Sequence, residues 1–540
     1  MSRDPGLISK SLKRLISSHG AYINSICTIP TTLNSNIQHG KNSTVKQPVK
    51  SINTINYSRS IHSTPRINRS TTEDVTSLYT SEVLTTPESI RRQHLLRSSL
   101  EHIIHQFASM PVPTITLNDL LKFNHRFKNS VNNKGNENSM EKTIDETKKM
   151  LLENANETLE DLLVLICRRL DEFMKLPYII LLNPNIAEIY ETYLISLQKC
   201  FEYLNKIDPN LIYNNEIDTI NIDGVKIENL EQNNDFINLL NDIMNLHTDN
   251  LPVLSQGFEE ISAIGLIDDK KFLSNHLRER ILMRLVSHHH IELSSQLNEM
   301  IKINNDSVLD NNIGIIEKNI NVLEIVQKSL NFVNDMCNLK YCEKIDLKLR
   351  AVTINHDKSV NIINFENFND YNPKLDDENN QLIFPYISTH LEYVFNELFK
   401  NSARAQIENH SKDPVEITLV VNKPSLDNHL KSTSKDEKSN CYHLEIRIID
   451  KGKGIKPEIV DNLFDYSFTT FEDGLDNDNE SYKTLNNTGD ANIIAGMGYG
   501  LPLSRIYIEL FDGKIDLHSI HGYGTTVYMK WNGPNVRLLQ

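Results

Sequence analysis

The apolar spacing predicts an α+β chain: an N-terminal antiparallel four-helix bundle, then an α/β sandwich in which helices back one mixed sheet. Three observations carry that expectation. From about residue 90 to 345, apolar residues recur at intervals of three and four, the period of a helix with one buried face. From about 345 onward, short runs rich in Val, Ile and Leu alternate with polar residues, the period of a strand. Asn- and charge-rich tracts interrupt both territories.

Taken in order, the helices are "TLEDLLVLICRRLDEFMKL" (158–176), "AEIYETYLISLQKCFEYL" (187–204), the stretch 236–265 and "DKKFLSNHLRERILMRLVSHHHIEL" (269–293). Four long amphipathic helices suffice for a bundle. The two territories join near 320–345. The strands are "KIDLKLRAV" (344–352), "PVEITLVVN" (414–422), "HLEIRIID" (443–450), "KIDLHSI" (514–520) and "TTVYMKW" (525–531), with helices near 387–409 and 501–511. That order is expected of one mixed sheet backed by helices. Residues 129–149, 303–313, 366–381, 423–440 and 472–491 hold too few apolar side chains to offset the entropy of ordering, and read as loops or disorder. The expected domains are a leader at 1–70, a helical domain at 75–320 and an α/β domain at 321–540.

Composition narrows the function classes. A net charge of −15 argues against a general nucleic-acid binder, and no run of 18 apolar residues offers a membrane span. Residues 1–70 carry ten Lys or Arg and one acid, Asp4, leaving 46 basic and 70 acidic side chains elsewhere. A basic, Ser-rich, acid-poor start with a short amphipathic stretch at 6–18 matches an organelle transit peptide; the alternative is a basic disordered tail. Six cysteines show no CxxC pair and no zinc spacing, which suits a reducing compartment, with Cys167 and Cys200 in helix core.

Four pieces carry chemistry. "ELFKNSARA" (397–405) places Tyr393, Glu397, Asn401 and Arg404 on one helix face, with Lys400 beside them. Alone, such a stripe is what any surface helix shows. "HLEIRIIDKGKGI" (443–455) brings Asp450 to a strand end, and Gly452 and Gly454 follow in a tight turn; its carboxylate could accept from an exocyclic amine, or the piece is a plain turn. "GMGYGLPLSRIYIELF" (496–511) sets Gly496, Gly498 and Gly500 at a helix start, where main-chain amides and the helix dipole suit an anion. Met497, Tyr499 and Leu501 fill the positions between and after them. "HGYGTTVYMKW" (521–531) could put the hydroxyls of Thr525 and Thr526 near a phosphate, or is simply a hairpin. A GxxxxGK(S/T) loop and the HRD, VAIK and DFG motifs are all missing, so nucleotide binding would use another design.

An Asn-bearing helix followed by DxGxG, GxGxG and GxGTT resembles the ATP-binding fold shared by gyrase, heat-shock protein 90, histidine kinases and MutL-type ATPases (the GHKL fold). "ELFKNSARA", "LFDYSFTTF" (463–471) and 496–529 are similar to the mitochondrial protein kinases of 2-oxoacid dehydrogenase complexes, the pyruvate and branched-chain enzymes. "TSLYT" (76–80), "CRRLDEFMKLPYIILLNPNI" (167–186), "HTDNLPVLSQGFEE" (247–260) and "LRERILMRLVSHHHIEL" (277–293) resemble the same family in the same order, so the likeness spans about 75–531.

The resemblance implies the following. ATP and Mg²⁺ are the cofactors, with K⁺ as a candidate second cation. Asn401 ligates Mg²⁺ and Glu397 is the general base toward a serine hydroxyl. Lys400 and Arg404 lie beside the nucleotide, Asp450 takes the adenine amine, and Gly452 and Gly454 line the base. Thr469, Thr470, the stretch Gly496 to Leu501 and Thr525 hold ribose and phosphates. His247, Arg280 and Arg284 match an allosteric pocket for small carboxylates; otherwise they are solvated charges or interhelix pairs. The implied partners are the decarboxylase component of a dehydrogenase complex as substrate, the lipoyl domain of its core and a second copy in a homodimer; the implied compartment is the mitochondrial matrix. The chain departs from the pyruvate enzymes in having Tyr393 where they have His, and in lacking an Asp-Trp pair near the C-terminus. "HLEYVFNELFKN" and "DYSFTTF" lean toward the branched-chain enzyme, while "GYGLPLSR" leans toward the pyruvate enzymes. Serine kinase of the pyruvate complex is the first expectation and branched-chain kinase the alternative. A histidine kinase, phosphorylated at His247 or within His288–His290, and a non-kinase ATPase or scaffold stand behind them.

Overall fold

The structure, a computed structural model, describes residues 101–122, 139–208, 225–248, 250–262, 268–303, 312–371, 382–424, 441–460, 462–466 and 498–535. The expected leader at 1–70 lies outside them, as do most of the polar tracts.

After helical stretches at 101–108 and 117–122, the first half is built from α1 Ser139–Met174, α2 Tyr178–Leu181, α3 Pro184–Ile207, α4 Leu230–Leu246, α5 Asn250–Ser262 and α6 Asp269–Ile303. α1 buries Leu162, Leu163, Ile166, Leu170 and Phe173, the three-and-four spacing read from sequence. Phe173 anchors a ring cluster with Tyr190, Tyr193, Phe272 and His276, at centroid distances of 5.3 to 6.1 Å. Asn183 caps α3 by accepting from the amides of Asn185 and Ile186, with Pro184 in the first turn, where its missing N–H costs nothing. Cys167 and Cys200 lie in the core, as expected.

Two expectations need correction here. The stretch 236–265 is not one helix, for α4 ends at His247 (φ −92°, ψ 4°) and α5 begins at Asn250. Pro252 suits a first turn but would break a continuous helix. The tract 129–149, read as a loop, already belongs to α1 from Ser139, because Glu and Lys are good helix formers even where little is buried.

The second half opens with a small antiparallel sheet, β1 Asn312–Ile313, β2 Ile316–Asn321 and β5 Ile383–Tyr386. Between β2 and β5 the chain forms α7 Val322–Tyr341, β3 Leu347–Ile354 and β4 Val360–Phe365. After β5 come α8 Ser388–Glu408, β6 Val415–Asn422, β7 Tyr442–Ile449, the short α9 Pro457–Val460, α10 Gly500–Glu509, β8 Lys514–Ile520 and β9 Gly524–Gly533. The main sheet runs β4-β3-β6-β7-β9-β8, with β3 and β6 parallel and the other pairs antiparallel. Burial alternates along β3, β6, β7 and β9, so one sheet face is core and the other faces out. α7 packs on α8, and α8 on α10.

α7 fills the region read as a joint, and β1 lies at the end of the tract 303–313 read as loop. The β1–β2 turn is fixed to α6. Gln296 donates to the Gly314 carbonyl (3.1 Å) and accepts from its amide (2.9 Å), and a Cβ at Gly314 would meet His289 Nδ1 at 2.3 Å. No helix among the described residues is long and apolar enough to cross a membrane.

Candidate active site

The polar stripe of α8 is not a wet surface. Tyr393 and Glu397 are each 4% exposed, and His390 and Asn396 are buried with them. Glu397 Oε1 accepts from Lys400 Nζ at 2.5 Å, one turn further on. Asn401, the next residue on that face, is exposed, with no partner for its carboxamide among the described residues. Arg404 turns outward to Glu408, at 2.6 Å.

The glycine motifs close around this helix. A Cβ at Gly500, the first residue of α10, would meet Glu397 Oε2 at 2.2 Å, so any side chain there would displace the carboxylate from this position. A Cβ at Gly452 would meet Ala405 Cβ at 2.6 Å and the Ala405 carbonyl at 2.9 Å, which locks the DxGxG turn against the end of α8. Gly454 lies against the Ile520 carbonyl, at 2.2 Å from its would-be Cβ. Gly524, at φ +127°, lets the start of β9 pass over the Asp450 carbonyl. Gly498, at φ +74°, turns the chain into Tyr499 and α10, and Leu501 is half-buried in the first turn of that helix. All four sequence pieces meet at one place.

Asp450 is 6% exposed. Its Oδ1 accepts from the amides of Gly452 (3.0 Å) and Thr525 (3.1 Å). Burial pushes its carboxyl up from the usual range, and the two amides oppose that by favouring the charge. Oδ2 accepts from nothing among the described residues, which leaves one acceptor open to an external donor.

The Thr525 hydroxyl pairs with Ser519 Oγ at 2.9 Å across the β8–β9 ladder, and its amide buttresses the Asp450 carboxylate. Thr469, Thr470, Gly496 and Met497 lie outside the described residues. The segment leading to them is tied to α6 by Lys270–Asp465 at 2.6 Å, and Tyr466 lies against Tyr499 at 5.7 Å. Sequence reasoning missed Ala405, Ser519 and Tyr507. Ala405 alone left a signal, a small residue where a backbone must approach.

The donor set fits a nucleotide with a divalent cation. It offers one free carboxamide oxygen, a hard ligand suited to a cation that keeps water and phosphate in its shell. It also offers a helix N-terminus entered through a glycine turn and one unsatisfied carboxylate oxygen two strands away.

The second residue set also comes together. Ile243, Met244, His247, Arg280, Met283, Arg284 and Ser287 line a pocket between α4 and α6. Arg280 donates to the His247 carbonyl at 2.9 Å, and His247 Nε2 pairs with Ser196 Oγ at 2.9 Å. Burial, then the Arg280 charge, pushes the His247 ring down to about 3, so it is neutral at pH 7. His289 and His290 are buried, and His290 bonds Asn154 and Asn233, so neither faces a nucleotide as a phosphoacceptor.

Comparison with known proteins gives two family matches. Residues 114–317 match the mitochondrial branched-chain alpha-ketoacid dehydrogenase kinase family, and residues 386–534 match the histidine kinase-, DNA gyrase B- and HSP90-like ATPase family. The chain is 28% identical over 452 residues to pyruvate dehydrogenase (acetyl-transferring) kinase 1, mitochondrial, of Saccharomyces cerevisiae, covering 83% of this chain and 91% of that one. It is 25% identical to isozyme 1 of that kinase from Homo sapiens, over 69% of this chain and 71% of that one. With human isozyme 4 the identity is 26%, and the alignment spans 55% of this chain and 61% of the relative. The histidine kinase-like ATPase match bears out the expected ATP-binding fold, and with the helical match before it, the chain is similar along both halves to mitochondrial dehydrogenase kinases.

Proposed function

We propose that the chain is a mitochondrial protein serine kinase that uses MgATP to phosphorylate, and so inactivate, the decarboxylase (E1α) component of the pyruvate dehydrogenase complex. The observation that carries this is the Glu397 carboxylate packed on Gly500 where α10 begins, one turn before the unpartnered amide of Asn401. Asn401 holds Mg²⁺, which neutralises phosphate charge when bound. Asp450 Oδ2 accepts from the adenine amine. Lys400 leaves Glu397 for a phosphate, and the α10 amides face the same anion. Glu397 accepts the seryl proton as the seryl oxygen bonds to the γ-phosphorus and the bond to the ADP oxygen breaks. Arg404, Thr469, Thr470, Gly496 and Met497 complete the nucleotide site.

The same proposal covers the finer organisation: a leader at 1–70, a four-helix regulatory bundle within 75–320, a kinase domain at 321–540, residence in the matrix, docking on a lipoyl domain, and a homodimer. The pocket at His247, Arg280 and Arg284 takes a small carboxylate, its two guanidinium groups meeting one anion. The branched-chain complex is the alternative substrate, favoured by the family matched over 114–317 and by Tyr393. The test is phosphate transfer from ATP to purified pyruvate and branched-chain dehydrogenases side by side. Acid-stable phosphoserine on the pyruvate enzyme is expected. Phosphate on the branched-chain enzyme alone selects the alternative, and an acid-labile phosphate on the chain itself rejects both.

A further inference from the structure

The helical half reaches the nucleotide half along one side of α6. Lys270, Ser274, Arg280 and Arg284 fall within about 120° of one another around that helix. Arg280 and Arg284 line the pocket beside His247, and the Tyr507 hydroxyl of α10 feels both charges. Lys270 and Ser274, in the first two turns, meet the chain that follows α9. Lys270 Nζ pairs with Asp465 at 2.6 Å, and the Ser274 and Tyr466 hydroxyls share a hydrogen bond. Neither contact has a task in phosphate transfer as proposed above.

Residues 462–466 are wound tightly. The amides of Asn462, Leu463 and Asp465 each donate to the carbonyl three residues back, at 3.0 to 3.3 Å. α10 holds the other side of this segment. The Arg505 guanidinium lies over the Phe464 ring at 5.1 Å, and the Tyr466 ring is 5.7 Å from that of Tyr499. Tyr499 is fully buried and immediately precedes Gly500, where α10 begins. A tilt of Tyr499 therefore carries the first amides of α10 with it, and a helix start binds an anion through those amides. Stability does not account for the first link of this series: the Lys270 side chain is 61% exposed, and exposed pairs contribute little to folding.

We infer that Lys270 is a positioning residue for the nucleotide: its ion pair with Asp465 holds Tyr466 against Tyr499, and so fixes the angle at which the first amides of α10 meet the phosphates. The inference rests on the reading of the α10 start as the phosphate site. Through this pair the helical half sets nucleotide affinity from outside the site, with no group of its own at the reacting atoms.

The test uses the full chain, with MgADP binding measured by calorimetry and MgATP kinetics measured on purified dehydrogenase. Lys270→Gln is expected to weaken MgADP binding and raise the KM for MgATP about 3-fold, the scale of a partly exposed pair. Its kcat at saturating nucleotide and its thermal midpoint should stay near wild type. Lys270→Arg should keep the wild-type affinity. Lys270→Asp should lose more than Lys270→Gln, because two carboxylates then face each other, and adding Asp465→Lys should recover the loss. High salt should shrink the gap between wild type and Lys270→Gln. Lys199→Gln, at another exposed pair between helices, should leave affinity unchanged. Equal affinity in wild type and Lys270→Gln overturns the inference, as does a reversed pair no better than Lys270→Asp alone, or a loss that tracks the thermal midpoint. Gly500→Ala separates this inference from the reading beneath it. Unchanged affinity in folded Gly500→Ala sinks the phosphate site itself, whereas weakened Gly500→Ala beside an unaffected Lys270→Gln sinks the inference alone.

Discussion

Each half of the molecule buries a carboxylate against a cation, to opposite ends. In the helical half, Arg169 of α1 and Glu279 of α6 lie 110 residues apart in sequence and meet at 2.5 Å, with side chains 1% and 7% exposed. Glu172 adds a second carboxylate at 2.8 Å, and burial is the largest influence on the guanidinium, opposed by both acids. In the sheet half, Glu397 and Lys400 are three residues apart on one helix, and Glu397 lies against a glycine. The first pair joins two helices, and nothing can replace either partner without repacking. The second joins nothing but itself, so it can open while the fold stays intact. A buried ion pair is structural or functional according to what else moves when it breaks.

Four experiments break or sharpen that contrast. Glu397→Gln should lower phosphate transfer by about 10²–10⁴-fold with nucleotide binding kept, measured by ATP turnover and by equilibrium binding. Glu279→Gln should do the reverse. It leaves the buried Arg169 with Glu172 as its remaining carboxylate, costing about 2–3 kcal/mol in a denaturant titration, with losses of activity no greater than the loss of folded protein.

Acid should act on both halves. Burial holds His247 and His390 at about 3 and His290 at about 4, below the unfolded value near 6.5. The unfolded chain therefore binds these protons first. Their contribution is fully present above pH 6.5 and is lost as pH falls toward 3 or 4, by about 1.4 kcal/mol per pH unit for each ring. Thermal midpoints taken from pH 7 to pH 5 should drop, and His290→Asn should flatten part of that slope. The smallest effect belongs to Lys199→Gln. Its pair with Asp242 joins α3 to α4 at 2.7 Å but is largely exposed, so about 0.5 kcal/mol or less is expected from the same titration.

The strands most legible in sequence were those with one dry face. β3, β6, β7 and β9 alternate cleanly and were read within a few residues. β4 was missed because "VNIINF" is exposed or half-exposed along its whole length and shows no period. β5 was missed because it has four residues and contains Pro385. α7 carried a readable signal, burying 322, 323, 326, 330, 333 and 337 inside the territory of helical period, but the segment was read as the joint between the two halves and not as an element of its own. Of the site, the stripe on α8 and the glycine turns could be read from spacing. The burial of Glu397, the pairing of the Thr525 hydroxyl with Ser519 and the presence of Tyr507 could not, since each depends on residues distant in sequence.

The grip of Gln296 on Gly314 makes α6 a ruler for the catalytic half. The clamped hairpin continues into β2, β2 pairs with β5, and two residues after Tyr386 the chain enters α8, whose Ser388 hydroxyl bonds Glu317 of β2. One residue inserted into α6 between Arg280 and Gln296 would rotate the far end by 100° and slide it by about 1.5 Å. The pocket would stay where it is while the hairpin, and with it the origin of the catalytic helix, lost its index mark.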